Sequence, residues 1–211
     1  MTWRGIIFDL DGVLCFTDQY HYQAWKELAG REGIYFDETV NNRLRGISRM
    51  DSLKIILERA GKSYTEGEKA SLAEWKNRRY RELLGKMTEE DLPEEVRETL
   101  DGLRTKGYKL AVGSSSKNAK FILSRIGLAD YFDAVSDGTD IARSKPDPEV
   151  FLKAAGRLGL EPSECLVVED ALAGIEAAAA GGFGSAGIGE AAGHPQVTCP
   201  LKSIRDLLRM L

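Results

Sequence analysis

Three short apolar segments, each closed by polar residues, limit the folds open to this 211-residue chain. They are GIIF at 5–8, KLAV at 109–112 and LVV at 166–168. Apolar runs of this length are typical of strands that are buried on both faces of a parallel sheet. Helical patterns separate them, and they occupy 96–103, 121–126, 150–158 and 171–180. This alternation predicts an α/β fold with a parallel sheet.

The segment after the first strand has a different character. It contains helical patterns at 20–31, 51–60 and 65–84, with no clear strand signal. About 70 residues of helix inserted at one point of an α/β chain indicate a separate helical cap. We therefore expect a catalytic core formed by 1–15 and 86–211, with a helical cap domain at 16–85.

Composition excludes several classes of protein. The chain is 43% hydrophobic and 29% charged, which is typical of globular proteins, and its formal charge of -4 gives no support for a nucleic-acid partner. No apolar run approaches the roughly 20 residues of a membrane span. Three widely spaced cysteines, Cys15, Cys165 and Cys199, indicate no disulfide framework. We expect a cytoplasmic monomer without a signal segment.

The polar residues that close the apolar segments are the candidates for chemistry. In open α/β sheets, ligands bind beyond the carboxyl ends of the strands. We therefore expect one site to contain Asp9, Asp11, Ser114, Glu169 and Asp170, with Lys145 contributed by a loop.

The acidic residues favour a magnesium site. Asp9 and Asp11 are two apart on an extended segment and point to the same side, where their charges repel unless a cation or a proton intervenes. Mg²⁺ prefers carboxylate and water oxygens, and Glu169 with Asp170 can complete the cluster. Taken alone, either pair could equally cap a helix or begin a turn; two pairs at two strand ends favour the metal site.

Ser114 and Lys145 favour an anionic substrate. Ser114 follows a predicted strand and precedes a helix predicted to begin at Lys117, and a hydroxyl beside helix N–H groups binds phosphate well. Lys145 offers a mobile positive charge to phosphate oxygens. Taken singly, Ser114 is more often a helix cap and Lys145 a solvated loop residue.

Four motifs occur in order along the chain: DLDGVL at 9–14, GSSSKN at 113–118, SKPDP at 144–148 and VED at 168–170. They resemble the four motifs of the haloacid dehalogenase superfamily, and the resemblance covers the whole chain. It implies a Rossmann-like parallel sheet core with an inserted helical cap domain.

The resemblance also implies a role for each motif residue. Asp9 would be the nucleophile that accepts a phosphoryl group, and Asp11 would be the general acid and base. Ser114 and Lys145 would bind that phosphoryl group. Mg²⁺ would be held by Asp9, by the backbone carbonyl of Asp11 and by Asp170, with Glu169 nearby. A carboxylate nucleophile divides the transfer into two easier steps, and a leaving-group acid at position 11 favours phosphoryl transfer over dehalogenation.

The predicted cap resembles that of the β-phosphoglucomutase family at 20–26, at 44–53 and around Lys76. This resemblance implies a set of substrate-binding residues: His21, Trp25, Gly46, Ser48, Arg49, Ser52, Lys76, Ser115, Ser116, Lys117 and Asn118. Considered one at a time, these residues have more ordinary explanations. Trp25 is more often a packing residue, His21 is more often a helix cap, and Arg49 is more often a solvated side chain. Phe16 and Arg45 depart from the family pattern, which usually has aspartate and lysine there.

The resemblance implies a small-molecule sugar phosphate as substrate. The expected reaction converts β-glucose 1-phosphate to glucose 6-phosphate through a bisphosphate. A cationic cap can bind the distal phosphate of this bisphosphate while its other phosphate lies at Asp9. Two alternatives stay open: a sugar-phosphate phosphatase with the same nucleophile, and a non-catalytic phosphosugar-binding module.

Overall fold

The computed structural model of the protein describes residues 3–44 and 47–211. The chain forms two compact units. The core unit comprises Met1–Phe16 and Thr88–Leu211, and the cap unit comprises Thr17–Met87. The chain passes from one unit to the other at 16/17 and 87/88, whereas the sequence places these boundaries at 15/16 and 85/86.

One parallel sheet forms the centre of the core unit. Its strands are β1 (Gly5–Phe8), β2 (Lys109–Gly113), β3 (Ala134–Ser136), β4 (Cys165–Glu169), β5 (Gly184–Gly187) and β6 (Cys199–Pro200). Their order is β3-β2-β1-β4-β5-β6. Phe8 at the end of β1 is level with Val112 on β2 and Val168 on β4. The carboxyl ends of these three strands therefore meet at one edge of the sheet.

α-Helices account for most of the other regular structure. In chain order they are α1 (Asp18–Arg31), α2 (Glu38–Asn42), α3 (Arg49–Leu57), α4 (Glu66–Leu84), α5 (Glu94–Thr105), α6 (Ala119–Arg125), α7 (Glu149–Leu158), α8 (Leu172–Ala180) and α9 (Leu207–Met210). The first four belong to the cap unit and the last five to the core unit. Across the described parts of the chain, none of the helices combines the length and apolarity that a membrane crossing requires.

The central strands are buried on both faces, as their apolar sequences predict. All four residues of β1 and all five of β4 are buried. On one face, α7 and α8 supply a shared apolar core that includes Val150, Phe151, Ala154, Ala177 and Ala178. Burial of strands by flanking helices is the arrangement of α/β proteins. The predicted parallel sheet core is confirmed.

The regular secondary structure among the described residues of the cap unit consists of the helices α1 to α4. Ala24, Trp25, Leu28 and Ala29 are the buried residues of α1, which is the apolar face predicted from their spacing. This face joins a cluster with residues of α3 and α4, including Leu53, Ile56 and Ala73. The guanidinium of Arg79 on α4 donates to both carboxylate oxygens of Glu27 on α1, at 2.6 and 3.0 Å.

Two features differ from the sequence-based expectation. The sequence pattern does not predict the strands β3, β5 and β6, because they are short and β5 consists only of glycine, serine and alanine. The helix expected to begin at Lys117 begins at Ala119. The hydroxyl oxygens of Ser114 and Ser116 accept the backbone N–H groups of Ser116 and Asn118, and these local bonds favour turns over helix.

Candidate active site

Asp9 and Glu169 are brought together by the register of two neighbouring strands. Asp9 directly follows β1, and its backbone N–H donates to the carbonyl of Val168 on β4 at 2.9 Å. Glu169 is the last residue of β4, and Asp170 follows it. Asp9 and Glu169 are buried and Asp170 is half-buried. The parallel sheet thus concentrates carboxylates at the edge where ligands bind in folds of this kind.

Lys145 enters this acidic group from the loop before α7. Its Nζ donates to Asp9 Oδ1 at 2.5 Å and to Glu169 Oε1 at 2.5 Å. The ammonium also lies over the ring of Phe151, 4.6 Å from the centroid. Burial would lower the pKa of Lys145, but the charges of Asp9 and Glu169 outweigh this effect and raise the pKa. Lys145 is therefore a permanently charged bridge between two buried carboxylates.

The cluster carries more negative than positive charge. Asp9, Glu169 and Asp170 each offer a carboxylate oxygen, and these oxygens lie within 4.8 Å of one another. Among the described lysines and arginines, none forms an ion pair with Asp170. Burial, together with the charge of Asp9, raises the pKa of Asp170 to about 8. Three carboxylates beside one ammonium fit a divalent cation, whose charge would replace the proton on Asp170.

Asp11 lies in a tight turn after Asp9. The N–H of Gly12 donates to the carbonyl of Cys15 at 2.8 Å, and the N–H of Cys15 donates to the carbonyl of Leu10 at 3.2 Å. Gly12 has a φ of +89°, and a Cβ there would lie 2.0 Å from Asp170 Oδ2. The turn thus requires glycine twice, for its backbone conformation and for the approach of Asp170. Asp11 itself is half-buried.

The loop after β2 carries three consecutive serines, Ser114 to Ser116, and contacts the backbone of Lys145. Ser114 is buried, and its N–H donates to the carbonyl of Ser136 on β3 at 3.1 Å. Ser115 Oγ accepts the N–H of Lys145 at 3.4 Å. Ser115, the neighbour of Ser114, therefore lies against the backbone of Lys145. Further along, Ser116 is half-buried, Lys117 is exposed and Asn118 is buried.

Within the cap unit, Lys76 and His21 form a close pair. Lys76 Nζ lies 2.8 Å from His21 Nδ1, and its ammonium is 4.5 Å from the ring centroids of both Trp25 and Tyr80. The rings of His21 and Tyr80 stack with their centroids 4.0 Å apart. Burial, followed by the charges of Lys76 and Arg49, lowers the pKa of His21 well below its ordinary value. His21 is a neutral imidazole in a positive potential, with Nδ1 accepting from Lys76.

The remaining cap candidates lie near the start of α3. Ser48 is its N-cap and accepts the backbone N–H of Asp51 at 3.2 Å, so it has a structural role there. Arg49 is half-buried, and burial lowers its pKa, although a guanidinium stays charged at neutral pH. Ser52 is buried. Gly46 and Arg45 lie outside the described residues.

Two aromatic residues beside the candidate cations were not singled out from the sequence. Phe151 lies under Lys145, and its place in an apolar helical pattern indicates packing only. Tyr80 is four residues after Lys76 on α4, and this spacing puts two side chains on the same helical face. Helical periodicity could therefore have predicted the contact of Tyr80 with Lys76. The contact of Phe151 with Lys145 depends on the tertiary fold.

Comparison with known proteins gives the family. The family model of haloacid dehalogenase-like hydrolases matches residues 3–182, which is most of the chain. The chain belongs to this family, and the predicted resemblance is confirmed. Enzymes of this family generally use a divalent metal, which agrees with the acidic cluster.

Individual members of the family are similar to this chain over most of its length. The chain is 42% identical over 200 residues to a β-phosphoglucomutase of Bacillus subtilis (strain 168), covering 94% of this chain and 88% of that protein. A crystal structure of a β-phosphoglucomutase from Clostridium difficile has a TM-score of 0.90 and 37% identity, covering 98% of this chain and 93% of that one. A phosphorylated carbohydrates phosphatase of Thermotoga maritima is 33% identical over 183 residues, covering 85% of this chain and 82% of that protein.

The raised pKa of Asp170 predicts a pH-dependent effect of metal. Folded, metal-free protein keeps a proton on Asp170 up to about pH 8, whereas the unfolded chain loses it near the ordinary value of 3.8. Stability without metal should therefore fall as pH rises through this window, by up to about 1.4 kcal/mol per pH unit. A divalent cation must displace this proton, so Mg²⁺ should raise Tm more at pH 8.5 than at pH 6.

Thermal denaturation at both pH values, with and without Mg²⁺, measures the effect. The Asp170→Asn variant lacks both this proton and a ligand carboxylate, so its Mg²⁺-dependent rise in Tm should be small at both pH values. A Mg²⁺-dependent rise in Tm that is larger at pH 6 than at pH 8.5 would contradict the prediction.

The pair in the cap predicts the titration of His21. The chain has only one other histidine, His194, so two imidazole signals suffice for an NMR titration. We expect the His21 signal to titrate below pH 6.5. The Lys76→Met variant should raise the pKa of His21, because it removes one of the charges that lower it.

Lys69→Met is the matched control, since Lys69 lies on the same helix and pairs with Glu66 at the surface. It should leave the titration of His21 unchanged. Protonation of His21 above pH 6.5 in the unmodified protein, or equal pKa values in both variants, would show that Lys76 does not set the state of this histidine.

Proposed function

We propose that this protein is a β-phosphoglucomutase. It interconverts β-D-glucose 1-phosphate and glucose 6-phosphate through an aspartyl-phosphate and a β-glucose 1,6-bisphosphate. The observation that carries the proposal is the buried carboxylate of Asp9, which Lys145 contacts at 2.5 Å at the carboxyl end of the sheet. Similarity to the Bacillus subtilis β-phosphoglucomutase supports the mutase reaction in particular.

Asp9 is the nucleophile in the proposed mechanism. One of its carboxylate oxygens attacks phosphorus, the bond from phosphorus to the departing sugar oxygen breaks, and the phosphoryl group is left on Asp9. Lys145 fixes the orientation of the Asp9 carboxylate and meets the charge of the phosphoryl oxygens. Ser114, in the adjoining loop, holds the same phosphoryl group. Charge stabilisation of this kind supplies most of the catalysis in phosphoryl transfer.

Asp11 moves the proton. In the first step it donates a proton to the departing sugar oxygen, and in the second it takes one from the hydroxyl that receives the phosphoryl group from Asp9. General acid–base catalysis by one carboxyl group contributes about 10²–10⁴-fold to the rate. The turn at 10–15 holds Asp11 next to the strand end that carries Asp9.

The cofactor of the proposed enzyme is Mg²⁺. Asp9, Glu169 and Asp170 form the group of carboxylates that fits it, and the backbone carbonyl of Asp11 is assigned to the same ion by the family resemblance. When bound, the ion supplies positive charge to the phosphoryl oxygens. Lys145 already forms ion pairs with Asp9 and Glu169, so the ion would chiefly neutralise the negative charge of Asp170.

The cap is proposed to hold the distal phosphate and the sugar. Burial lowers the pKa of His21 most, and the charges of Lys76 and Arg49 lower it further. The positive potential of these two side chains also attracts a phosphate. Trp25 forms one wall beside the Lys76 ammonium. The complete proposed substrate set is His21, Trp25, Gly46, Ser48, Arg49, Ser52, Lys76, Ser115, Ser116, Lys117 and Asn118.

A sugar-phosphate phosphatase is the second candidate. It would use the same Asp9 and would transfer the phosphoryl group to water instead of a sugar hydroxyl. Similarity to the Thermotoga maritima phosphorylated carbohydrates phosphatase favours it. The cytoplasmic location and the monomeric state stay predictions from the sequence.

Phosphorus NMR distinguishes the two candidates. The enzyme with Mg²⁺, β-glucose 1-phosphate and a trace of β-glucose 1,6-bisphosphate should convert the substrate signal into that of glucose 6-phosphate. Asp9→Asn should reduce the rate by at least about 10³-fold, because an amide is a poor nucleophile. Release of inorganic phosphate without the isomer would favour the phosphatase, and substantial activity of Asp9→Asn would refute covalent transfer through this residue.

A further inference from the structure

Gly174 lies in the first turn of α8, directly beside Glu169. A Cβ at this position would lie 1.9 Å from Glu169 Cδ, 2.0 Å from Oε1 and 2.5 Å from Cγ. Real Cβ atoms essentially never approach a non-bonded heavy atom of another residue closer than 3.0 Å. The space that any other residue would fill at position 174 is therefore occupied by the carboxyl group that contacts Lys145.

The Glu169 carboxylate cannot move aside without losing bonds. Oε1 accepts from Lys145 Nζ at 2.5 Å, and Oε2 accepts the backbone N–H groups of Asp170 at 3.1 Å and Ala171 at 3.2 Å. The side chain is also fully buried. Steric overlap with a Cβ at position 174 would therefore displace the Glu169 carboxylate, and this would in turn displace the ammonium of Lys145.

The sequence of α8 makes glycine an unexpected choice on local grounds. The helix reads LAGIEAAAA, and alanine fills most of its positions. Alanine is the strongest helix former, whereas glycine is among the weakest. Local propensity alone therefore favours alanine at position 174, and the proximity of Glu169 is the physical reason against it.

We propose that Gly174 is a positioning residue for the acidic cluster, because it leaves the space in which Glu169 holds Lys145 beside Asp9. The inference deepens the proposed function and rests on it in taking the cluster as the metal and phosphoryl site. The same space keeps the Glu169 carboxylate within 4.8 Å of the ligand oxygens of Asp9 and Asp170. A displaced Glu169 would weaken binding of a divalent cation, even without substrate.

The test uses Gly174→Ala, with Gly156→Ala as its matched control. Gly156 lies within the helix α7, and a Cβ there would meet nothing within 4 Å. Calorimetric titration of the substrate-free protein with Mg²⁺ measures the dissociation constant. We expect Gly174→Ala to raise it by about 10–100-fold, as for other residues that support metal ligands. Gly156→Ala should leave it within about twofold of the unmodified protein. A change of less than threefold for Gly174→Ala would overturn the proposal.

A second measurement covers the case in which Gly174→Ala is too unstable to titrate, or in which the unmodified protein binds Mg²⁺ too weakly. Thermal denaturation is compared for Gly174→Ala in two backgrounds, the unmodified protein and Glu169→Ala. Gly174→Ala should lower Tm by about 3–10 °C in the first background, through overpacking. It should leave Tm unchanged or raise it in the second, where the space is vacant. An equal loss in both backgrounds would overturn the role of Glu169.

These measurements separate the inference from the proposed function. Absence of mutase activity in the unmodified protein, together with the expected Tm difference between backgrounds, would refute the function and leave the positioning role intact. Mutase activity together with an equal Tm loss in both backgrounds would support the proposed function and refute the positioning role of Gly174.

Discussion

The bridge from Lys145 to Asp9 and Glu169 is the interaction on which the rest of the core site depends. Two carboxylates this close, buried at neighbouring strand ends, repel each other strongly unless a cation lies between them. A buried ion pair of this kind is weak evidence for stability, because the desolvation of its charges offsets their attraction. The better explanation for its presence is chemical: it fixes the orientation of the Asp9 carboxylate at the edge of the sheet where the strands end.

The parallel sheet places charged and hydroxyl side chains together at the carboxyl ends of its strands. The register of β1 with β4 puts Asp9 beside Glu169, and the loop after β2 adds Ser114 and Ser115. Burial, together with the charges of Asp9 and Glu169 that Lys145 only partly neutralises, raises the pKa of Asp170 to about 8. In the cap, burial lowers the pKa of His21 most, and the positive charges of Lys76 and Arg49 lower it further. These charges support the proposal that the core unit holds a metal and the reacting phosphoryl group and that the cap unit holds a second anion.

Much of the core site could be predicted from the sequence, because its residues directly follow strands that are easy to identify. Asp9 follows GIIF and Glu169 follows LVV, and parallel topology makes such positions converge. The buried face of α1 follows likewise from helical spacing. Other features depend on packing between distant segments and have no local signal. The ring of Phe151 under Lys145 is one example, and the strand β5, built from glycine, serine and alanine, is another. Gly174 departs from the alanine-rich pattern of its helix, but only the position of Glu169 explains why.

The central claim is that Asp9 accepts the phosphoryl group, and its most direct test is to identify the residue that carries it. The enzyme with Mg²⁺ is mixed with β-glucose 1,6-bisphosphate, quenched in acid and treated with borohydride, which reduces an aspartyl-phosphate to homoserine. Mass spectrometry of the digested protein then locates the modified residue. We expect homoserine at position 9, and none in the Asp9→Asn variant. An unmodified Asp9, with the label on another residue or on none, would contradict the account.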